Sequence, residues 1–104
     1  MNNLTDVNYK DTIGSNNLII LYFWADWCSP CKKFSPIFEE VAYENNMFFG
    51  KIDSDANPIA SAEFEVESIP TVLVIEDGVV VKRIVGAIDR KSTRLNSSHL
   101  VISY

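Results

Sequence analysis

Two cysteines, Cys28 and Cys31, are the only thiols in a chain of 104 residues, and just two residues separate them. They lie in the run Trp24-Ala25-Asp26-Trp27-Cys28-Ser29-Pro30-Cys31-Lys32, where a continuous apolar stretch gives way to helical spacing. A dithiol is thereby placed at the start of a helix. A thiolate there faces unpaired backbone N–H groups and the positive end of the helix dipole, so Cys28 is expected to ionise more readily than a free cysteine at ~8.5. The thiolate is the form that attacks disulfides. Cys31, one helical turn on, is then placed to displace the mixed disulfide that results. Two other readings of the pair stand beside this one. Half of a zinc site would need two further Cys or His ligands, and the only histidine is the remote His99. A purely structural bridge would close so short a loop that it would restrict the unfolded chain only slightly.

Several elements must hold these thiols. Leu18-Ile19-Ile20-Leu21-Tyr22-Phe23-Trp24 is unbroken in its apolar character, as expected of a central strand covered on both faces. After the cysteines, Phe34, Ile37, Phe38, Val41 and Ala42 recur at helical spacing, with Lys33, Glu39, Glu40 and Glu44 off that stripe. Pro36 falls inside this helix and is expected to kink it. Residues 47–52 read as another strand, and Asn57-Pro58 as an N-cap followed by proline at the first helical position, opening a short helix to about Phe64. Residues 71–75 and 79–85 flank Asp77-Gly78, a strong hairpin signal. Helices between the early strands and a tight hairpin at the end predict an α/β fold with a mixed sheet, parallel and then antiparallel, flanked by helices.

The run around the cysteines closely resembles the active-site motif of the thioredoxin family, Trp-Cys-x-Pro-Cys-Lys after a central strand. The resemblance extends over residues 1 to about 89. Leu4-Thr5-Asp6 is similar to the end of the family's first strand, Pro36 to its helix-kinking proline and Lys51 to a lysine of its third strand. Asp55 with Asn57-Pro58 resembles the turn that follows, Ile69-Pro70-Thr71 the cis-proline segment, and Val85-Gly86-Ala87 the glycine bordering the substrate groove. The resemblance implies a thiol-disulfide oxidoreductase that reduces protein disulfides through Cys28 and Cys31, with no metal or organic cofactor and with electrons from a thioredoxin reductase-like donor. It also implies a substrate-binding groove of Trp27, Ile69, Pro70 and Gly86, in which the backbone at Ile69 meets an extended peptide. Each has a plainer reading: Trp27 packed on the sheet edge, Pro70 an ordinary trans proline, Gly86 a bend in the last strand, Lys51 a solvated strand residue. A non-catalytic binding module of the same fold, or a disulfide oxidase or isomerase, are the alternative functions.

Two residues depart from the family pattern. Tyr22 stands where most members carry a buried aspartate beneath the dithiol, and a phenol with pKa near ~10 is a poor base at neutral pH. Water, Lys51 or the departing thiolate would then receive the Cys31 proton, unless Tyr22 simply fills the core. Ser29 replaces the commoner glycine beside Pro30, a dipeptide that influences the reduction potential.

A net charge of −5 argues against a nucleic-acid surface, which requires a basic patch. The N-terminus lacks the basic start and apolar core of a signal peptide, and no stretch approaches the ~20 apolar residues of a membrane span. A cytoplasmic, monomeric protein is expected, in a compartment where an accessible Cys-x-x-Cys is more often catalytic than structural. Residues 1–90 are read as one domain. Residues 91–104 differ: Leu95 and Ile102 share a helical face, but Ser98 and His99 interrupt it, and serine, asparagine and β-branched residues disfavour the family's closing helix. This tail resembles one found at the ends of unrelated reading frames translated from sequencing libraries, with a divergent native helix as the alternative.

Overall fold

Leu18–Trp24 forms strand β2 at the centre of a five-stranded sheet, in a computed structural model that describes residues 2–86. Around it run β1 (Asn2–Leu4), α1 (Tyr9–Ser15), α2 (Ser29–Tyr43), β3 (Phe48–Asp53), α3 (Pro58–Glu63), β4 (Thr71–Glu76) and β5 (Val79–Val85). The order across the sheet is β1-β3-β2-β4-β5. β3 pairs in parallel with both β1 and β2, whereas β2–β4 and β4–β5 are antiparallel. The mixed sheet expected from the sequence is present. The doubtful closing helix and the boundary near residue 90 lie outside the described residues, as do His99, Leu95 and Ile102.

Alternation along β2 explains the unbroken apolar run. Ile19, Leu21 and Phe23 point to one face, where Tyr9 of α1, Ala60 of α3, Leu4, Ile52, Leu73 and Ile75 form a buried cluster. Tyr22 points to the other, among Phe34 and Phe38 of α2, Phe49, Val72 and the two cysteines. Both faces are covered by helices, so no position on the strand can be polar without a partner.

The hairpin turn is set locally. Asp77 and Gly78 have φ of 51° and 82°, the pair of positive values that a type I′ turn requires. Helix α3 begins differently from the expectation. Asn57 occupies the N-cap position without capping through its side chain; its amide instead donates to the Asp53 carbonyl at 3.0 Å and accepts from the Asp6 N–H at 2.9 Å. The free N–H groups of Ile59 and Ala60 are taken by the Asp6 carboxylate, at 3.1 and 2.8 Å. Capping is thus supplied from a loop more than fifty residues earlier, which also ties the first strand to α3.

Candidate active site

The end of β2 and the start of α2 place the cysteines. Cys28 is the N-cap of α2, and the two are joined in a disulfide with Cα atoms 5.2 Å apart. The Cys31 N–H donates to Cys28 Sγ at 3.2 Å, so sulfur occupies the place a capping oxygen usually holds. Proline at position 30 contributes no N–H to this first turn, and the Lys32 N–H is engaged by the Cys28 carbonyl at 3.2 Å. Ser29 and Pro30 are exposed on the turn, whereas both cysteines are buried.

Of the expected groove residues, Ile69 meets Cys28 Sγ directly, Pro70 and Gly86 follow from it through the backbone, and Trp27 precedes Cys28 in the chain. The Ile69 carbonyl lies 3.7 Å from Cys28 Sγ, and the Ile69–Pro70 peptide bond is cis. The Pro70 carbonyl in turn accepts the Gly86 N–H at 3.0 Å. Gly86 has φ of +97°, and a Cβ built there would meet nothing within 4 Å. Its backbone conformation, not crowding, is what calls for glycine. Trp27 is 67% exposed, and its indole N–H donates to the Asp55 carboxylate at 2.6 Å. Asp55, which the sequence placed only in a turn, therefore positions the largest exposed side chain beside the disulfide.

Beneath the helix start lies Tyr22, fully buried. Its hydroxyl donates to the Cys31 carbonyl at 3.1 Å and is 2.9 Å from Ser35 Oγ. Burial pushes the phenol above its ordinary pKa of 10, the Glu39 charge adds to the rise, and the Ser35 hydrogen bond opposes it. Its ring packs against Phe34 and Phe38, with centroids 5.0 and 4.9 Å away. Tyr22 is at once a core residue and a hydrogen-bond donor under Cys31, but not a base at neutral pH.

Lys51, beside Tyr22 in the sheet register, is not simply solvated. Its ammonium forms an ion pair with Glu39 at 3.0 Å and sits 5.0 Å from the centre of the Trp24 ring. A cavity of about 310 Å³ lies here, with Cys31, Ser35, Glu39, Lys51, Asp26 and Trp24 in its wall. Ser35 and Glu39 escaped notice as site residues in the sequence, although the spacing Cys31, Ser35, Glu39 puts all three on one helix face. Among the described residues, no group of three or more His, Cys, Asp or Glu side chains is gathered to hold a metal ion. Nor is any helix among them long and apolar enough to cross a membrane.

A sequence profile of thioredoxins matches residues 1–98. A thioredoxin from Mycobacterium tuberculosis is 44% identical over 87 residues, covering 81% of this chain and 75% of that protein. A bifunctional thioredoxin reductase/thioredoxin from Mycobacterium leprae is 45% identical over 87 residues; the match takes in 81% of this chain but spans only about a fifth of that relative, 19%. Among solved structures, the thioredoxin of Fasciola hepatica superposes with a TM-score of 0.85 at 33% identity, over 95% of this chain and 98% of that one.

Proposed function

The chain belongs to the thioredoxin family, and from that premise we propose that Cys28 and Cys31 are the working thiols of a protein-disulfide reductase. The observation that carries the assignment of roles is the seating of Cys28 Sγ at the helix N-cap, where it accepts the Cys31 N–H. In the reduced chain the same N–H and the helix dipole stabilise a thiolate on Cys28. That thiolate attacks one sulfur of a substrate disulfide and expels the other as a thiolate, leaving a mixed disulfide. Cys31, deprotonated, then attacks Cys28 Sγ and expels the second substrate sulfur. Two electrons have passed to the substrate, and the chain is left with the Cys28–Cys31 disulfide.

The groove roles follow from position. The Ile69 carbonyl next to Cys28 Sγ offers a main-chain acceptor to an extended peptide, Pro70 and Gly86 hold that carbonyl's surroundings, and Trp27 supplies an exposed apolar face. Ser29 and Pro30 tune the thiolate through the first helical turn, while Tyr22 and Lys51 act from below. Regeneration needs an external dithiol donor. We assign that step to a thioredoxin reductase-like partner, an assignment supported by the relative that joins such a reductase to a thioredoxin. The protein is read as a cytoplasmic monomer that needs no cofactor and binds neither nucleic acid nor membrane, with residues 1–90 as its domain.

Trapping tests the order of attack. Cys31→Ser should accumulate mixed disulfides through Cys28 when exposed to disulfide-bonded proteins, resolved on non-reducing gels. Cys28→Ser should accumulate almost none; adducts on Cys31 in that variant would reverse the roles.

A further inference from the structure

Cys31 must lose a proton before it can resolve the mixed disulfide, and it is 1% exposed. The nearest buried hydroxyl cannot take that proton. Tyr22 gives its own to the Cys31 carbonyl and is held protonated by burial. The titratable and polar groups facing the cavity beside Cys31 are Asp26 from the loop after β2, Lys32, Ser35 and Glu39 from α2, and Lys51 from β3, while Tyr22 from β2 reaches it only through Ser35.

We propose that Glu39 is the proton acceptor for Cys31, reached through solvent in the cavity behind the disulfide. This inference rests on the reading of Cys31 as the resolving thiol. Three observations converge on it. Cys31, Ser35 and Glu39 follow one another at intervals of four along α2, so their side chains form a row on one face. Glu39 lines the same cavity as Cys31, and its carboxylate is held there by the Lys51 ammonium. The cavity is open, with about 310 Å³ of space, and the side chains of Asp26, Ser35, Glu39 and Lys51 in its wall can hydrogen-bond water. The direct rise from Cys31 to Glu39 is roughly 12 Å at 1.5 Å per residue, too far for contact but spanned by a glutamate side chain, one or two waters and the Ser35 hydroxyl. Lys51, at 3.0 Å, fixes the carboxylate at the cavity wall and supplies its counter-charge. Asp26 also reaches the cavity and, like Glu39, is exposed, but it lies on a loop off the α2 row.

The Cys31 S–H proton passes along the solvent chain to the Glu39 carboxylate, the resulting thiolate attacks Cys28 Sγ, and the substrate sulfur leaves with the electron pair of the broken bond. Glu39 then returns its proton to bulk water.

The experiment measures resolution separately from attack. The reduced full-length chain is mixed with insulin, quenched with acid at intervals, and the decay of the mixed disulfide followed by mass spectrometry from pH 6 to 8. With Glu39 present, the decay rate should change less than about threefold over this range, because a positioned base takes the proton within the step. In Glu39→Gln it should rise close to tenfold per pH unit, since the thiolate must now come from solvent equilibrium. Glu39→Asp should recover part of the flat profile. A Glu39→Gln profile parallel to that of the parent chain, whether or not the rate is uniformly lower, overturns the proposal, as does a steep profile produced by Asp26→Asn in place of Glu39→Gln. If Cys31→Ser forms no trapped adduct through Cys28, the reading of Cys31 fails first and this inference with it.

Discussion

Replacing Tyr22 with phenylalanine removes a single oxygen from beneath the dithiol and leaves the ring among its neighbours. The aromatic contacts to Phe34 and Phe38 need not change, since the T-shaped and tilted packing belongs to the ring. Two hydrogen bonds disappear, the donation to the Cys31 carbonyl at 3.1 Å and the pairing with Ser35 Oγ at 2.9 Å. Each is worth a net ~1 kcal/mol when both partners are neutral. The Cys31 carbonyl still has the helical ladder, and Ser35 is only half-buried, so solvent replaces part of what is lost. The expected cost is therefore about 1–2 kcal/mol, seen in urea unfolding at pH 7 as a lower midpoint with unchanged slope. Heating should show the same loss as a melting temperature lower by roughly 4–8 °C for each kcal/mol. Insulin reduction should stay within about twofold of the parent chain, because a buried phenol held above pKa 10 gives up no proton at neutral pH. A stability loss below about 0.3 kcal/mol would mean that the hydroxyl's bonds contribute nothing net. A rate loss of tenfold or more would put the phenol in the proton path and refute the reasoning.

Removing the Asp6 carboxylate with Asp6→Ala strips the cap from α3 and should cost about 1 kcal/mol in urea unfolding, with Asp6→Asn costing less because one acceptor remains. Tyr9 is pushed up to about 12, first by its hydrogen bond to Glu63, then by burial and by the charges of Glu63 and Asp6. The fold binds this phenolic proton more tightly than the unfolded chain does, so its contribution is intact below pH ~10 and is lost as pH rises from there through about 12. In Glu63→Gln the upper edge of that window should move down towards pH 10, measured by unfolding between pH 9 and 12; an unmoved window would show that Glu63 does not hold the proton. Deleting residues 91–104 should lower unfolding free energy by less than about 1 kcal/mol if the domain ends near residue 90, whereas a loss of several kcal/mol, as for removing a well-packed helix, would place that boundary further on.

What the sequence made legible is what local chemistry decides. Strand β2 announced itself by seven apolar residues in a row, and the hairpin by an aspartate and a glycine that tolerate positive φ. The dithiol at a helix start needed only the change of spacing across Cys28. Pairings between distant segments were not legible, because nothing in a local pattern states which partner a polar group will find. Asn57 had the right residue type for a cap, yet the bond went to Asp6, whose carboxylate brings a full charge to the N–H groups of Ile59 and Ala60. Trp27 could be recognised as large and near the thiols, but not that Asp55 would hold its indole. Glu39 is the instructive case. Its spacing from Cys31 is readable, but along the chain it is one of several charged residues off the apolar stripe of α2, and the lysine that singles it out comes from another strand. Tyr22 shows the same logic from the other side: an aromatic ring in an apolar run reads as core, which it is, while the hydroxyl's placement under the Cys31 carbonyl follows from where α2 crosses the sheet. A site built where a helix meets a sheet therefore takes its nucleophile from one short segment and its proton chemistry from several, and only the first can be read along the chain.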